Sequence, residues 1–344
     1  MSEVSPVASS TQSSVKNRGW SVVLAGLGIN LALGVLYTWS VVSKGIPDDW
    51  GWSEADRSLP YSVACLVFSL IMVPAGRMQD RIGPRTVASI GGLLVSIGLL
   101  TSSQTTTTLG FIFGFGLLAG AGIGFGYASA TPPAVKWFPA ARTGLIAGIV
   151  VSGFGLASVY VAPLVKTLIR VYSLSTTLIV LGVGFLIIVV GLAQFLRPPP
   201  VGYVPAGSAP RAGTPAPVAD YNPIEMLRTW QFYVLWFMYA CGAGAGLMII
   251  SKLSKMADVQ AGVSLGFVLV AILAVGNGAG RIVAGMLSDT IGRKATLIIF
   301  YVIQAAAIFL LSQADHGNAL GSSLVLGLLS ALIGASYGAN LALF

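Results

Sequence analysis

Charge is scarce in this sequence. Asp, Glu, Lys and Arg make up 9% of the 344 residues, where a soluble domain carries roughly a quarter. A water-soluble globular fold is thereby excluded. Histidine occurs once, as His316, and cysteine twice, as Cys65 and Cys241. Both cysteines fall in apolar stretches, so neither a disulfide framework nor a metal-ligand spacing exists, and no metal or cofactor is expected. No nucleophile constellation appears either, which argues against an enzyme. Lys and Arg number 19 against 11 Asp and Glu. The basic residues are scattered between apolar stretches, which is unlike a nucleic-acid surface.

Apolar residues are what is abundant, at 55%, together with 43 glycines. Runs long enough to cross a bilayer, about 20 residues each, recur along the chain. They cover 20–43, 58–76, 86–102, 109–135, 143–165, 173–196, 230–250, 262–287 and 295–312, and a last one starts near 320. None alternates as a membrane β-barrel strand does. The fold class is therefore an all-α polytopic membrane protein embedded in the lipid bilayer.

Residues 1–19 are Ser/Thr-rich and expected to be a disordered tail, with no signal-peptide cleavage pattern after them. Residues 197–228 are rich in Pro, Gly and Ala and form a linker. The chain thus divides into a six-helix half, 20–196, and a second half, 229–344, whose tenth helix is still running at Phe344. About two further helices are expected beyond that point. With the N-terminus and linker cytoplasmic, inside loops hold about twice as many basic residues as outside loops, as the positive-inside rule requires. A multi-pass protein of the cytoplasmic (inner) membrane is expected.

The chain also repeats itself. GRMQDRIGPR, residues 76–85, is echoed by GMLSDTIGRK, residues 285–294, so that Gly76, Asp80 and Gly83 match Gly285, Asp289 and Gly292. GFGY at 124–127 is echoed by GASY at 334–337, pairing Tyr127 with Tyr337. Repeats on either side of a linker indicate two pseudo-symmetric half-domains.

One cation breaks the pattern. Arg281 is the only charge in GVSLGFVLVAILAVGNGAGRIVAGML, residues 262–287. A cation at the centre of a membrane helix costs at least ~2.5–3.5 kcal/mol, so such a residue is a functional candidate. Asn277 lies one turn before it on the same face. A guanidinium replaces the hydration of a carboxylate with two parallel charge-assisted hydrogen bonds and stays protonated. The bland alternative has Arg281 snorkelling to the membrane surface. Tyr127 and Tyr337 read either as cavity phenols or as interfacial tyrosines, and Tyr37 likewise. Asn30 and Asn340 read either as ligand contacts or as helix-packing amides. GAGIGFGY in the fourth run has no strand before it, so it is packing glycine, not a dinucleotide loop.

The paired loops, the six-plus-six layout and the linker resemble the major facilitator superfamily. INLALGVLYTWSV, GFGYASATPPAVKWFPAARTGLIAG, NGAGRIVAGMLSDTIGRK and YGANLALF resemble its oxalate/formate antiporter family and the bacterial monocarboxylate (L-lactate) branch. That resemblance implies the major facilitator fold and a monomeric carrier of small monocarboxylates working by alternating access. Proton symport is the first expectation, oxalate/formate-type exchange the second, and a non-transporting membrane sensor the remote third. It implies a substrate contact at Arg281 and a cavity aromatic at Tyr37, with Phe154 standing where some relatives have tyrosine, and together with the residue reading substrate contacts are expected at Arg281, Asn277, Tyr127, Tyr337, Tyr37, Phe154 and Asn340. A second cation, a lysine, would lie beyond Phe344. The distant monocarboxylate porters carry an acid where this chain has Asn277, which cannot titrate. Gly76, Asp80, Arg81, Gly83, Arg85, Asp289, Gly292 and Arg293 are expected to latch the halves, with Asp80 facing Arg81 and Arg85, and Asp289 facing Arg293.

Overall fold

The computed structural model describes residues 17–205, 207, 221, 223–262 and 266–344. Residues 1–16 of the expected tail and the middle of the expected linker lie outside the described residues. Among the described residues ten helices are long and apolar enough to cross a membrane. They are α1 (Gly19–Lys44), α2 (Glu54–Ile82), α3 (Pro84–Ser103), α4 (Thr108–Val135), α5 (Thr143–Val171), α6 (Leu174–Ala193), α7 (Trp230–Ala261), α8 (Gly266–Ile291), α9 (Arg293–Ser312) and α10 (Ser323–Leu343). No strand occurs among them.

The repeated loops are shorter than their sequences imply. Helix α2 continues through Gly76 to Ile82, and α8 continues through Gly285 to Ile291. Only Gly83 and Gly292 turn the chain, at φ 87°, ψ 154° and φ 86°, ψ 157°. That region is essentially closed to residues with a Cβ, which is why both halves keep glycine there. Pro84 then opens α3 at a position where its missing N–H costs nothing.

Glycine also sets the packing. Lipid tails are as apolar as leucine, so membrane helices associate where small residues let backbones approach. On α8 and α10, a side chain at Gly276, Gly280, Gly334 or Gly338 would strike the carbonyl of Ala331, Ala335, Leu273 or Asn277. Helices α3 and α4 meet in the same way at Gly91 and Gly122. Two irregularities depart from the expected plain helices. Helix α1 tightens to a 3₁₀ stretch at Gly34–Thr38, where Gly34 lies against Ala157 and the Phe154 carbonyl of α5. Helix α4 widens to a π stretch at Ile112–Ala119. Such stretches interrupt the regular ladder, and the one in α1 carries Tyr37 toward the centre of the bundle.

Candidate functional site

Arg281 is 0% exposed and heads the fully buried side chains by size. It does not snorkel. Its Nε donates to Asn277 Oδ1 at 3.2 Å, one turn back on α8. One terminal nitrogen donates to the Val151 carbonyl of α5 at 2.7 Å. The other terminal nitrogen is buried with no partner among the described residues. An unmet buried donor costs about 1–3 kcal/mol, and more when charged, so this guanidinium is held ready with one donor unspent.

Helix α5 admits this arrangement because it lacks side chains where α8 passes. A side chain at Gly148 would strike the Arg281 carbonyl, and one at Gly155 would come within 3.1 Å of the Asn277 amide. At the far end of the same seam, Gly144 and Gly285 stand against each other's carbonyls. The two halves of the molecule therefore touch along α5 and α8 from Gly144 to Gly155.

Aromatic side chains complete the chamber. Tyr127 of α4 lies beside the Arg281 guanidinium without hydrogen-bonding to it. Tyr37 of α1 and Tyr337 of α10 meet hydroxyl to hydroxyl at 3.1 Å, a second contact between halves. Phe154 of α5 is the hub of the apolar wall. Its ring centroid is 5.2 Å from Tyr37 and 5.2 Å from Tyr127, edge to face in both cases. Such pairs each contribute about 0.5–1.5 kcal/mol beyond buried area.

Two residues of this chamber were not foreseen. Phe68 of α2 stacks on Phe154 at 6.0 Å and meets Tyr127 at 5.6 Å. The repeat held the signal: in the register that pairs Gly76 with Gly285, Phe68 is the mate of Asn277, as Met72 is of Arg281. Tyr239 of α7, partly exposed, lies within electrostatic range of Tyr127, Tyr37 and Arg281. Asn340 is placed differently from the other expected contacts. Its Oδ1 accepts from the Tyr301 hydroxyl at 3.0 Å and its Nδ2 donates to the Tyr239 carbonyl at 3.3 Å. It braces α10 against α7 and α9. Asn30 likewise donates to the Val150 carbonyl of α5 at 2.9 Å.

The expected charge network takes another form. Arg57 pairs with Asp48, at 2.9 Å near the other end of the bundle. Asp80 does not pair with Arg81 or Arg85, nor Asp289 with Arg293. Asp289 instead accepts from the backbone N–H groups of Gly144 and Leu145, both at 2.8 Å. These are free donors in the first turn of α5, whose N-cap residue, Arg142, makes no side-chain cap. A carboxylate there meets the positive end of the helix dipole, so it prefers the helix end to a solvated arginine. Asp80 has only the Gln79 amide, at 3.5 Å, and Arg85 donates to the Gln194 carbonyl within its own half. Arg81 and Arg293 are exposed, and Gly76 is half-buried beside open space. Asp289→Asn turns one acceptor into a donor facing N–H. It is expected to weaken the seam by about 1–3 kcal/mol, read as a larger distance between spin labels on the ends of α5 and α8. An unchanged distance would count against the contact.

No Asp, Glu or His is among the buried side chains described, and no group of three potential metal ligands occurs among the described residues. The chamber offers one cation, several phenols and an apolar wall: chemistry for holding a small anion, not for breaking bonds.

The chain is 27% identical over 335 residues to the oxalate:formate antiporter of Oxalobacter formigenes, covering 95% of this chain and 76% of that one. It is 26% identical over 273 residues to monocarboxylate transporter 11 of Mus musculus, covering 79% and 59%. Among solved structures, FucP in the outward conformation matches with a TM-score of 0.63 at 16% identity, over 94% of this chain and 83% of FucP. A bacterial homologue of the lysosomal transporter Spinster, inward-facing, matches at 0.58 and 20% identity, over 96% and 75%. The family model of the Major Facilitator Superfamily matches residues 17–344. With ten apolar helices, a repeated hairpin in each half and a buried cation where the halves meet, the chain belongs to that superfamily of membrane transporters.

Proposed function

We propose that this chain carries small monocarboxylates of the L-lactate and pyruvate kind across the cytoplasmic membrane by alternating access, coupled to protons. The unspent donor of Arg281 carries the reading. A carboxylate arriving at that nitrogen completes a two-point charge-assisted contact, and its organic end meets Phe154, Phe68 and the Tyr127 ring. One cation suits a monoanion. Phe154, without a hydroxyl, suits an apolar tail.

With the N-terminus and linker cytoplasmic, the Gly83 and Gly292 turns lie on the cytoplasmic side. The α5–α8 seam then seals that side, and Asp289 holds it shut. The site draws on both halves of a single chain, so a monomer suffices.

Exchange of anions is the second reading, favoured by the likeness to the Oxalobacter oxalate:formate antiporter. The test is uptake of labelled L-lactate into proteoliposomes under an inward proton gradient. Gradient-driven uptake into empty vesicles supports symport. Uptake only after preloading with another anion supports exchange. Lactate excluded under both conditions, with oxalate accepted, would remove the monocarboxylate reading.

A further inference from the structure

We propose that the cleft between α3 and α6, at the end of the bundle carrying the Gly83 turn, binds an anionic membrane glycerophospholipid. One acyl chain lies in the cleft and the phosphodiester sits at Arg85. Ile90 and Leu93 of α3 and Ile187 and Val190 of α6 wall a space of about 520 Å³. Elsewhere the two helices close on each other. A side chain at Gly92 would come within 2.8 Å of Val189, and one at Gly182 within 3.3 Å of the Ser96 carbonyl. Gly191 lines the cleft, and a Cβ there would meet nothing within 4 Å.

Both helices are of membrane-crossing length and composition. The lined stretch of α3, Thr86 to Leu93, rises about 10 Å, against a leaflet of roughly 15 Å of hydrocarbon, half of the bilayer core. An aliphatic slot of that depth, open toward lipid, takes a chain and not water. A second helix, about 10–12 Å across with its side chains, is too thick for it.

The polar end identifies the lipid. Arg85 is half-buried and spends one terminal nitrogen on the Gln194 carbonyl at 3.0 Å. Beside it, the Gln194 amide reaches Ser89 Oγ at 3.5 Å. Helix α3 begins here with no side-chain cap, so its first-turn N–H groups add positive potential. Arg81, in the last turn of α2, and Arg197, just past the end of α6, are exposed and near in sequence. A guanidinium beside a helix N-terminus matches a phosphodiester, and basic pockets between membrane helices select anionic headgroups.

The experiment is native mass spectrometry of the purified full chain after exchange into detergent with equal phosphatidylglycerol and phosphatidylcholine. Wild type is expected to retain one phosphatidylglycerol in preference to phosphatidylcholine. Gly191→Leu puts a side chain into the cleft at a position where a Cβ meets nothing within 4 Å, and is expected to cut retention at least fivefold with helix content and melting temperature unchanged. Arg85→Gln is expected to keep a lipid but to lose the preference. Equal retention of the two lipids by wild type, undiminished retention by Gly191→Leu, or a second protein chain in place of lipid would each overturn the assignment.

Discussion

Arg281→Ala is expected to abolish carboxylate uptake while leaving the ten helices in place. Breaking a buried ion contact costs about 3–5 kcal/mol, and each 1.4 kcal/mol is a factor of ten. The proposed contact therefore predicts a loss of roughly 100-fold or more in apparent affinity. The fold survives because the mutation also removes a buried donor that has no partner, which offsets part of the cavity it leaves. Arg281→Lys separates charge from geometry. Lysine restores a cation but not the planar fork, and it cannot hold Asn277, Val151 and a carboxylate together. Partial uptake by the lysine variant with none by the alanine variant is the expected order, measured in proteoliposomes with circular dichroism as the folding control. Alanine transporting like wild type would remove the anion-binding role.

Gly285→Val is expected to have the second-largest effect, for a steric reason. Gly285 lies against the Gly144 carbonyl, and Gly144 against the Gly285 carbonyl, so neither helix has room to retreat locally. A valine there pushes α5 and α8 apart. Overpacking of this sort costs about 1–3 kcal/mol, and the separation also lengthens both Asp289 contacts, which start one turn further on. In the proposed alternating-access cycle the seam closes at each turnover, so uptake should fall at least tenfold. Disulfide trapping between cysteines on the ends of α5 and α8 should fail in the same variant. Gly76→Val is the internal comparison, because the repeat mate of Gly285 stands beside open space in the described structure. Trapping that proceeds as in wild type in Gly285→Val would show that the seam yields.

Much of this protein is legible from the order of its residues. Hydropathy and length located all ten helices, because crossing a bilayer is decided by the residues of one segment alone. The repeat predicted the matching glycines, and their shared positive φ follows from a constraint local to one residue. Arg281 stood out for the same reason, as a charge among apolar neighbours in its own helix. What only the tertiary structure decided is the partner of each polar group. The guanidinium reaches a carbonyl 130 residues away in sequence, and Asp289 caps a helix 145 residues earlier in preference to the arginine four residues on. Asn340 turns to Tyr301 and the α7 backbone, although its spacing from Tyr337 allowed the chamber. Phe68 joins the aromatic wall only because α2, α4 and α5 converge there. A hydrogen bond or a ring contact is settled by which helices come within a few ångströms, and sequence periodicity describes only the face a helix offers, not the neighbour that accepts it.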